Sequence, residues 1–553
     1  MVREEYYIGV DVSATKTRGY QMRHNTRTSM KYAFLTVFLA LTSTAFAQDG
    51  VIGIHDPSTI AVDNGKYYVY GTGGGSLVSD DGWTWRRGVA PSRVGLAPDI
   101  IHIGDRYYLY VARNLDGQAT KAAINMIWNK TLDSNSPDYK WEDGGVVASS
   151  DGVEDCNAID PGVFRDPTTG RLWLVYGSYV GYIRLVELNP KTGLRLNPKD
   201  KPRNLAINCE ASDMIYNDGW YYLLATHGSC CSGGDSGYTI RMGRSRTVTG
   251  PFLDAEGVDM IQGGGKLLIG SGGRTIGAGH FGLLDLGDGV EKFSMHWEAD
   301  LDRGGASVLD IRPLLWKDGW PVAGEKLRGG TFEIESVHTG TALEPAVEGM
   351  PVGGRRMRFR GGPPPNGAPP AGTPTGPGAG APPTGTPPGP GAGARPGGPG
   401  GPGGGFAGGM FAGTGKPIPD QDAAQVSANW PGGNIDARLA NYLCQAQQKW
   451  QITAAAGAVG YPGSPYFKIA IAGTERTLAV TADAELVVLP GFTGAPEQLW
   501  RIDQLADGSW RIMPKMAPNS NQPLALSAVG ASFATLEKFD PKSDKQHWLL
   551  KKP

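Results

Sequence analysis

The stretch Asp56-Pro57-Ser58-Thr59-Ile60, joined through Asp63-Asn64-Gly65 to Tyr67-Tyr68-Val69-Tyr70, sets a pattern: a polar residue, a short apolar strand, a turn, then an aromatic-rich strand. The pattern returns four times. Pro98-Asp99-Ile100-Ile101 precedes Tyr107-Tyr108-Leu109-Tyr110, and Asp160-Pro161-Gly162-Val163-Phe164 precedes Leu172-Trp173-Leu174-Val175-Tyr176. Glu210-Ala211-Ser212-Asp213-Met214 precedes Trp220-Tyr221-Tyr222-Leu223-Leu224, and His280-Phe281-Gly282-Leu283-Leu284 precedes Phe293-Ser294-Met295-His296-Trp297. Copies begin roughly 40 to 70 residues apart, close to the length of a four-stranded blade. Hairpin signals such as Asp63-Asn64-Gly65 and Asn217-Asp218-Gly219 support the strand pairs. The expected fold is all-β, with residues 48–321 forming a five-bladed β-propeller.

In a propeller the innermost strands converge, so the residue leading each one faces a shared central cavity. Asp56, Asp99, Asp160, Glu210 and His280 would meet there. Taken singly, an Asp before Pro is a common turn residue; four carboxylates and a histidine in register point instead to shared chemistry. Two carboxylates flanking a sugar are the minimum apparatus of glycoside hydrolysis: a protonated one donates to the leaving oxygen and an ionised one activates water. A third can hold their proton affinities apart.

Outward from this repeat, composition narrows the field. The 553 residues carry 52 Lys and Arg against 54 Asp and Glu, so no global basic field draws nucleic acid or anionic membranes. The apolar run Tyr32 to Leu41 is too short for a span, which needs about 20 residues. With Met30-Lys31 before it and Ala45-Phe46-Ala47 after it, it reads as a signal peptide over residues 30–47, with residues 1–29 a non-native upstream extension. A secreted or periplasmic monomer is expected, with no membrane contact after cleavage. Export permits disulfides, but five cysteines (Cys156, Cys209, Cys230, Cys231, Cys444) leave at least one thiol unpaired. Cys156 and Cys209 flank the proposed site closely enough for a bridge, or are two small buried thiols.

At these residues the chain resembles glycoside hydrolase family 43, and within it the arabinan endo-1,5-alpha-L-arabinosidases. The resemblance covers about residues 52 to 321. It is carried by His55-Asp56-Pro57-Ser58, Asn157-Ala158-Ile159-Asp160-Pro161, Glu210-Ala211, Cys230-Cys231-Ser232-Gly233, Tyr238-Thr239-Ile240-Arg241-Met242-Gly243-Arg244-Ser245, Gly250-Pro251-Phe252, Gly263-Gly264-Gly265 and Gly277-Ala278-Gly279-His280. It implies a secreted inverting hydrolase of alpha-1,5-L-arabinofuranosidic bonds in plant cell-wall arabinan. Asp56 would be the general base, Glu210 the general acid, and Asp160 the residue that tunes and orients the acid. His280 resembles a histidine that in many members helps hold a hydrated calcium ion near the axis; the alternative is a neutral core histidine. His55, Asp99, Asn157, Cys230 and Cys231 would contact substrate. Where the family often carries a Trp before the Pro-Asp of its second blade and a Pro after Glu-Ala in its fourth, this chain has Leu96-Ala97-Pro98-Asp99 and Glu210-Ala211-Ser212. Exo-arabinofuranosidase, beta-xylosidase and galactan hydrolase are the alternative specificities, and a non-catalytic carbohydrate-binding protein is the alternative class.

From about Thr331 the pattern changes. Gln448-Lys449-Trp450, Gln498-Leu499-Trp500 and Gln546-His547-Trp548 lie about 50 residues apart and resemble the anchors of a ricin-type β-trefoil, here residues 331–553 after a linker at 322–330. Sugar-binding lobes of that type carry an Asp just after an early Leu; Leu478-Ala479 and Leu524-Ala525 lack it, and Leu343-Glu344 matches in part. Phe492 and Phe539 are candidate stacking platforms or core residues. The 83 glycines and 41 prolines concentrate at about 361–415, and within 361–410 they make up 35 of 50 residues. Such a segment cannot build a core and reads as a disordered insertion within the first lobe.

Overall fold

A computed structural model describes residues 48–91, 95–115, 121–150, 157–347, 424, 427–455, 457 and 460–553. The expected signal peptide, the upstream extension, Cys156 and the Gly/Pro-rich insertion lie outside the described residues.

Five antiparallel sheets follow one another along the chain as blades of a propeller. Their strands are Ala61–Asp63, Lys66–Gly71, Gly75–Ser79 and Thr84–Arg87; Leu96–Ile103, Arg106–Asn114, Ala122–Asn129 and Glu142–Ser149; Gly162–Arg165, Leu172–Tyr176, Ile183–Leu188 and Arg203–Ala206; Glu210–Asn217, Trp220–His227, Thr239–Ser245 and Lys266–Ile269; and Thr275–Asp285, Glu291–Asp300, Ala306–Lys317 and Trp320–Ala323. Turn chemistry sets the strand pairs. Asn64 and Gly65 both have positive φ (49° and 76°), as do Asp218 and Gly219 (45° and 78°), which is what a tight hairpin between right-twisted strands requires. The circle is tied at its seam: Ile54 N–H donates to Ser307 O at 3.2 Å and Leu309 N–H to Ile52 O at 2.9 Å, joining the chain before the first blade to the fifth. Apolar side chains fill the wedges between neighbouring blades, for example Tyr110, Ile124, Leu174 and Val186 between the second and third.

At the head of every blade stands one residue in the left-handed region: Asp56 (φ 49°), Ala97 (41°), Asp160 (53°), Ala211 (50°) and His280 (56°). In the second, fourth and fifth blades it coincides with a register shift between the first two strands. An L-residue there costs about 1 kcal/mol or more, so the bend is imposed by the surrounding blades. This backbone register corrects the repeat alignment. Ala97 and Ala211, not Asp99 and Glu210, occupy the place of Asp56, Asp160 and His280.

Beyond the propeller, each Gln-x-Trp repeats one local structure. A single 3-10 turn (Ala446–Gln448, Pro496–Gln498, Asp544–Gln546) leads into a strand that opens with the Trp. The three indole N–H groups donate to Leu343 O, Leu478 O and Leu526 O at 2.8 to 3.0 Å. The three Gln amides donate to Asn441 O, Gly491 O and Lys538 O. All three tryptophans are fully buried in one core with Ile334, Leu343, Ile469, Val488 and Ile512. Between the two described domains, the chain from Gly324 to Gly329 runs from the last blade strand to Gly330–Ser336, with Glu325 N–H donating to Gln504 Oε1 at 2.7 Å.

This C-terminal module docks on the first and fifth blades through buried charge. Asp503 meets Lys292 of the fifth blade at 3.3 Å, Arg501 at 2.5 Å and Arg511 at 2.8 Å. Arg501 also pairs with Asp288 at 2.5 Å, and Gly460 N–H donates to Asp81 Oδ2 of the first blade at 2.7 Å. Burial would push the Asp503 carboxyl up, but the fields of Arg501, Lys292 and Arg511 hold it well below the usual carboxylate range.

Candidate active site

The heads of the blades bring Asp56, Asp160, Glu210 and His280 around one cavity, and all four side chains sit at or near full burial. Asp56 is held from three sides. Oδ2 accepts from Thr72 Oγ1 at 2.5 Å and pairs with His55 Nδ1 at 2.9 Å, while Oδ1 stands 3.2 Å from His280 Nδ1. Its backbone N–H donates to His296 Nδ1 at 2.9 Å, which fixes the remaining His296 proton on Nε2.

The charges sort by environment. Burial works against the His55 cation, but hydrogen bonds to Asp56 and Glu298 raise its pKa to about 10, so the ring is an imidazolium at neutral pH. Burial lowers His280, and lowers His296 strongly, so both rings are neutral. For Asp56, burial is outweighed by its histidine partners, of which His55 carries the charge, and the carboxyl is held well below its ordinary range. Glu210 and Asp160 move the other way. Burial raises both, and each feels the negative field of neighbouring carboxylates: Asp56 at Glu210, and both Glu210 and Asp56 at Asp160. Tyr238 donates its hydroxyl to Glu210 Oε1, and Ala211 N–H donates to Asp160 Oδ2 at 3.2 Å. The cavity thus holds one carboxylate kept ionised and a pair that retains a proton above the usual carboxylate range.

The other expected residues fall in three places. Asp99 does not reach the cavity as a sugar ligand: Oδ1 accepts Thr59 N–H at 2.9 Å and Oδ2 accepts Val163 N–H at 2.8 Å, so it ties the first and third blades beneath the site. It stands two residues past the left-handed Ala97, and Asp213 stands likewise past Ala211. Asn157 is buried, with Nδ2 donating to Ser178 Oγ at 2.8 Å. Cys230 and Cys231 are joined as a vicinal disulfide at the rim, beside His55, with Cys231 in the left-handed region. Cys209 carries a free, buried thiol that burial pushes up to about 12, and its expected partner Cys156 lies outside the described residues. Cys444 is also free and exposed.

Four contributors went unread in the sequence: Thr72, Tyr238 as partner of Glu210, His296 and Glu298. The signal for the last lay in Ser294-Met295-His296-Trp297-Glu298, where alternate residues share a face. A polar row on a strand buried from end to end has to find partners, and it finds them at the site.

One feature fits an ion. His280 Nε2 is buried without a hydrogen-bond partner, and its ring lies with Asp56 and His296 in a group whose ligand atoms are within 4.8 Å of one another. One imidazole nitrogen beside an engaged carboxylate suits an ion that keeps most of its water ligands.

The model of glycosyl hydrolases family 43 matches residues 52–321, the five blades. An extracellular exo-alpha-(1→5)-L-arabinofuranosidase from Cellvibrio japonicus is 33% identical over 334 residues, spanning 54% of this chain and 95% of the relative. The chain belongs to glycosyl hydrolase family 43. A second member, an extracellular endo-alpha-(1→5)-L-arabinanase from Bacillus subtilis, is 30% identical over 319 residues, 52% of this chain and 95% of its own length. Among solved structures, an exo-1,5-alpha-L-arabinanase from a bovine ruminal metagenomic library aligns with a TM-score of 0.47 and 33% identity over 51% of this chain and all of that one. These family 43 relatives are named for action on alpha-1,5-linked arabinose polymers, in both exo and endo modes.

Proposed function

We propose that this family 43 chain is a secreted, inverting hydrolase that cuts alpha-1,5-L-arabinofuranosidic bonds within arabinan. The observation that carries the reading is the contrast between two carboxyls at one cavity: Asp56, held by Thr72, His55 and His280 and kept below its ordinary range, and Glu210, buried against Tyr238 and raised above its own. A water beside Asp56 gives up a proton to that carboxylate as its oxygen bonds to the anomeric carbon. The bond from that carbon to the leaving oxygen breaks as Glu210 donates its proton to that oxygen. Tyr238 occupies Glu210 Oε1, which leaves the proton on Oε2 for the substrate. Burial, with the negative fields of Asp56 and Glu298, raises the proton affinity of the acid, and Asp160 stands beside it with Oδ2 on the Ala211 N–H. Attack from the face opposite the leaving group inverts the anomeric centre.

A second reading is exo action, favoured by the Cellvibrio japonicus relative at 33% identity. Time courses on linear alpha-1,5-arabinan separate the two: mixed oligomers early mean internal cutting, and a single short product from the outset means exo cutting. Replacement of Asp56 or Glu210 by alanine abolishes either pattern; binding without turnover by the unsubstituted protein would indicate a carbohydrate-binding protein instead.

Three further parts belong to the proposal. His280 Nε2 would hold a hydrated calcium ion, which would add positive field near the sugar when bound. The C-terminal module is a ricin-type β-trefoil, supported by its three equivalent Gln–Trp anchors. In its first lobe Glu344, which matches the usual sugar-binding carboxylate in part, pairs with Arg438 at 2.8 Å. Export is supported by the pattern of residues 30–47 and by the extracellular naming of the relatives.

A further inference from the structure

Glu298 lies on the second strand of the fifth blade, outside the carboxylates that handle protons, and one of its oxygens holds the histidine that pairs with the base. Its side chain is 2% exposed and both oxygens are committed. Oε1 pairs with His55 Nε2 at 3.0 Å and stands 3.6 Å from His296 Nε2; Oε2 accepts the Cys231 N–H at 3.2 Å. His55 then reaches the Asp56 carboxylate through Nδ1, and His296 receives the Asp56 backbone N–H. Through His55 this buried carboxylate reaches the Asp56 side chain, whereas its approach to His296 is beyond hydrogen-bond length.

Geometry says what is lost without it. The His55 side chain is 28% exposed and, with Asp56 as its only partner, could turn about χ2 or shed a proton. A neutral ring has two tautomers, and one of them points a lone pair at Asp56 Oδ2. A carboxylate on each nitrogen removes that freedom, since both ring positions must then carry hydrogen. Gly277 leaves the room: a Cβ there would come within 2.8 Å of Glu298 Cβ.

We propose that Glu298 is a positioning residue for hydrolysis, acting through His55 to hold Asp56 in its water-activating orientation. It rests on the base role given to Asp56 above. Misplacement of a catalytic group by about 1 Å costs on the order of 100-fold, so Glu298→Gln is expected to lower kcat by about that factor with KM changed no more than about threefold. Glu298→Asp, which keeps the charge one methylene short, is expected to recover part of the loss.

The test is a double-mutant cycle on the full chain with His55→Gln, read as kcat and KM on linear alpha-1,5-arabinan, with melting temperatures for each variant. Acting through His55, Glu298→Gln costs at most about threefold once His55 is already gone. An equal loss in both backgrounds, or a rise in KM with kcat intact, overturns the proposal. If Glu298→Gln does not fold, Glu298→Asp takes its place in the cycle. If the unsubstituted protein leaves arabinan uncut, the substrate assignment fails by itself and the cycle is read on xylan or galactan. A readout independent of turnover is the downfield proton NMR of the imidazoles: the unsubstituted protein is expected to show both His55 N–H resonances, and Glu298→Gln or Glu298→Asp to lose or shift the Nε2 one. An unchanged His55 pair overturns the proposal even with no substrate at hand.

Discussion

Two clusters of buried charge lie in this chain, and they are built on opposite rules. At the module interface Asp503 is surrounded by Lys292, Arg501 and Arg511, and its carboxyl is pulled well below the ordinary range. At the blade heads Asp56, Asp160 and Glu210 share a cavity with one cation, His55, and the second and third carboxyls are pushed up. The interface sets carboxylates against cations and so fastens two domains. The cavity leaves like charges unbalanced, and that imbalance moves its carboxyls apart in proton affinity, as the proposed base and acid require. Buried carboxylates of one chemical type thus serve stability in one place and reactivity in the other, according to the company they keep.

The comparison breaks most visibly if the cavity proves structural. Asp56→Ala and Glu210→Ala are each expected to cut kcat by about 10²- to 10⁴-fold, while the melting temperature holds in Glu210→Ala, which relieves a crowded carboxyl, and falls modestly in Asp56→Ala, which takes a partner from His55 and Thr72. The pH–rate profile follows the same signs. Glu210 acts when protonated and its pKa is raised, so activity falls as the pH climbs through that raised value. Asp56 acts when ionised and is held low, so the acid side stays flat to below about pH 4. A large loss of thermal stability in both variants would make the two clusters alike.

At the interface the expected loss is in stability instead. Asp503→Ala takes the carboxylate from Lys292 and Arg511 and leaves Arg501 with Asp288 alone, and should cost about 3–5 kcal/mol, read by urea unfolding, with the activity of the folded fraction retained. The contribution of Asp503 is present at neutral pH and begins to be lost only below about pH 4, as the solution approaches its depressed pKa. A neutral outcome for Asp503→Ala would mean that the docking rests on the apolar contacts alone.

Asp99 sharpens the division, since its pKa is raised to about 6 by burial although it accepts two backbone amides. Asp99→Asn leaves one of those N–H groups without its acceptor and is expected to cost about 1–3 kcal/mol with kcat of the folded protein unchanged. Loss of activity at unchanged stability would move Asp99 into the cavity. The smallest effect is expected from deleting residues 361–410. The strands on either side pair as a hairpin, with Ala342 opposite Ala440 and Pro345 opposite Ala437, so the segment interrupts a loop and not the core. The melting temperature should shift by no more than a few degrees, and a larger fall would give the segment a structural part.

Much of this was legible in the sequence, for a physical reason in each case. The five blades announced themselves because each hairpin needs a turn residue tolerant of positive φ and an aromatic strand to fill the wedge. Asp56, Asp160 and His280 could be aligned because side chains of chemical consequence occupy their left-handed bends. The same bend in the second and fourth blades is made by Ala97 and Ala211, which advertise nothing, and so the alignment slid to Asp99 and Glu210. Glu210 still reaches the cavity from one residue before the bend; Asp99, two residues beyond it, does not. The partnership of Glu298 with His55 across 243 residues and the union of Lys292 with Asp503 across 211 have no local spacing to betray them. They arise from closing the circle of blades and seating the module on its edge.

The most direct test of the central claim is the anomeric configuration of the first product. Proton NMR of a fresh digest of linear alpha-1,5-arabinan by the full chain is expected to show β-configured arabinofuranosyl ends before mutarotation, with the signal absent in Asp56→Ala and Glu210→Ala. First-formed α ends would mean retention, and would contradict a base and an acid divided between Asp56 and Glu210.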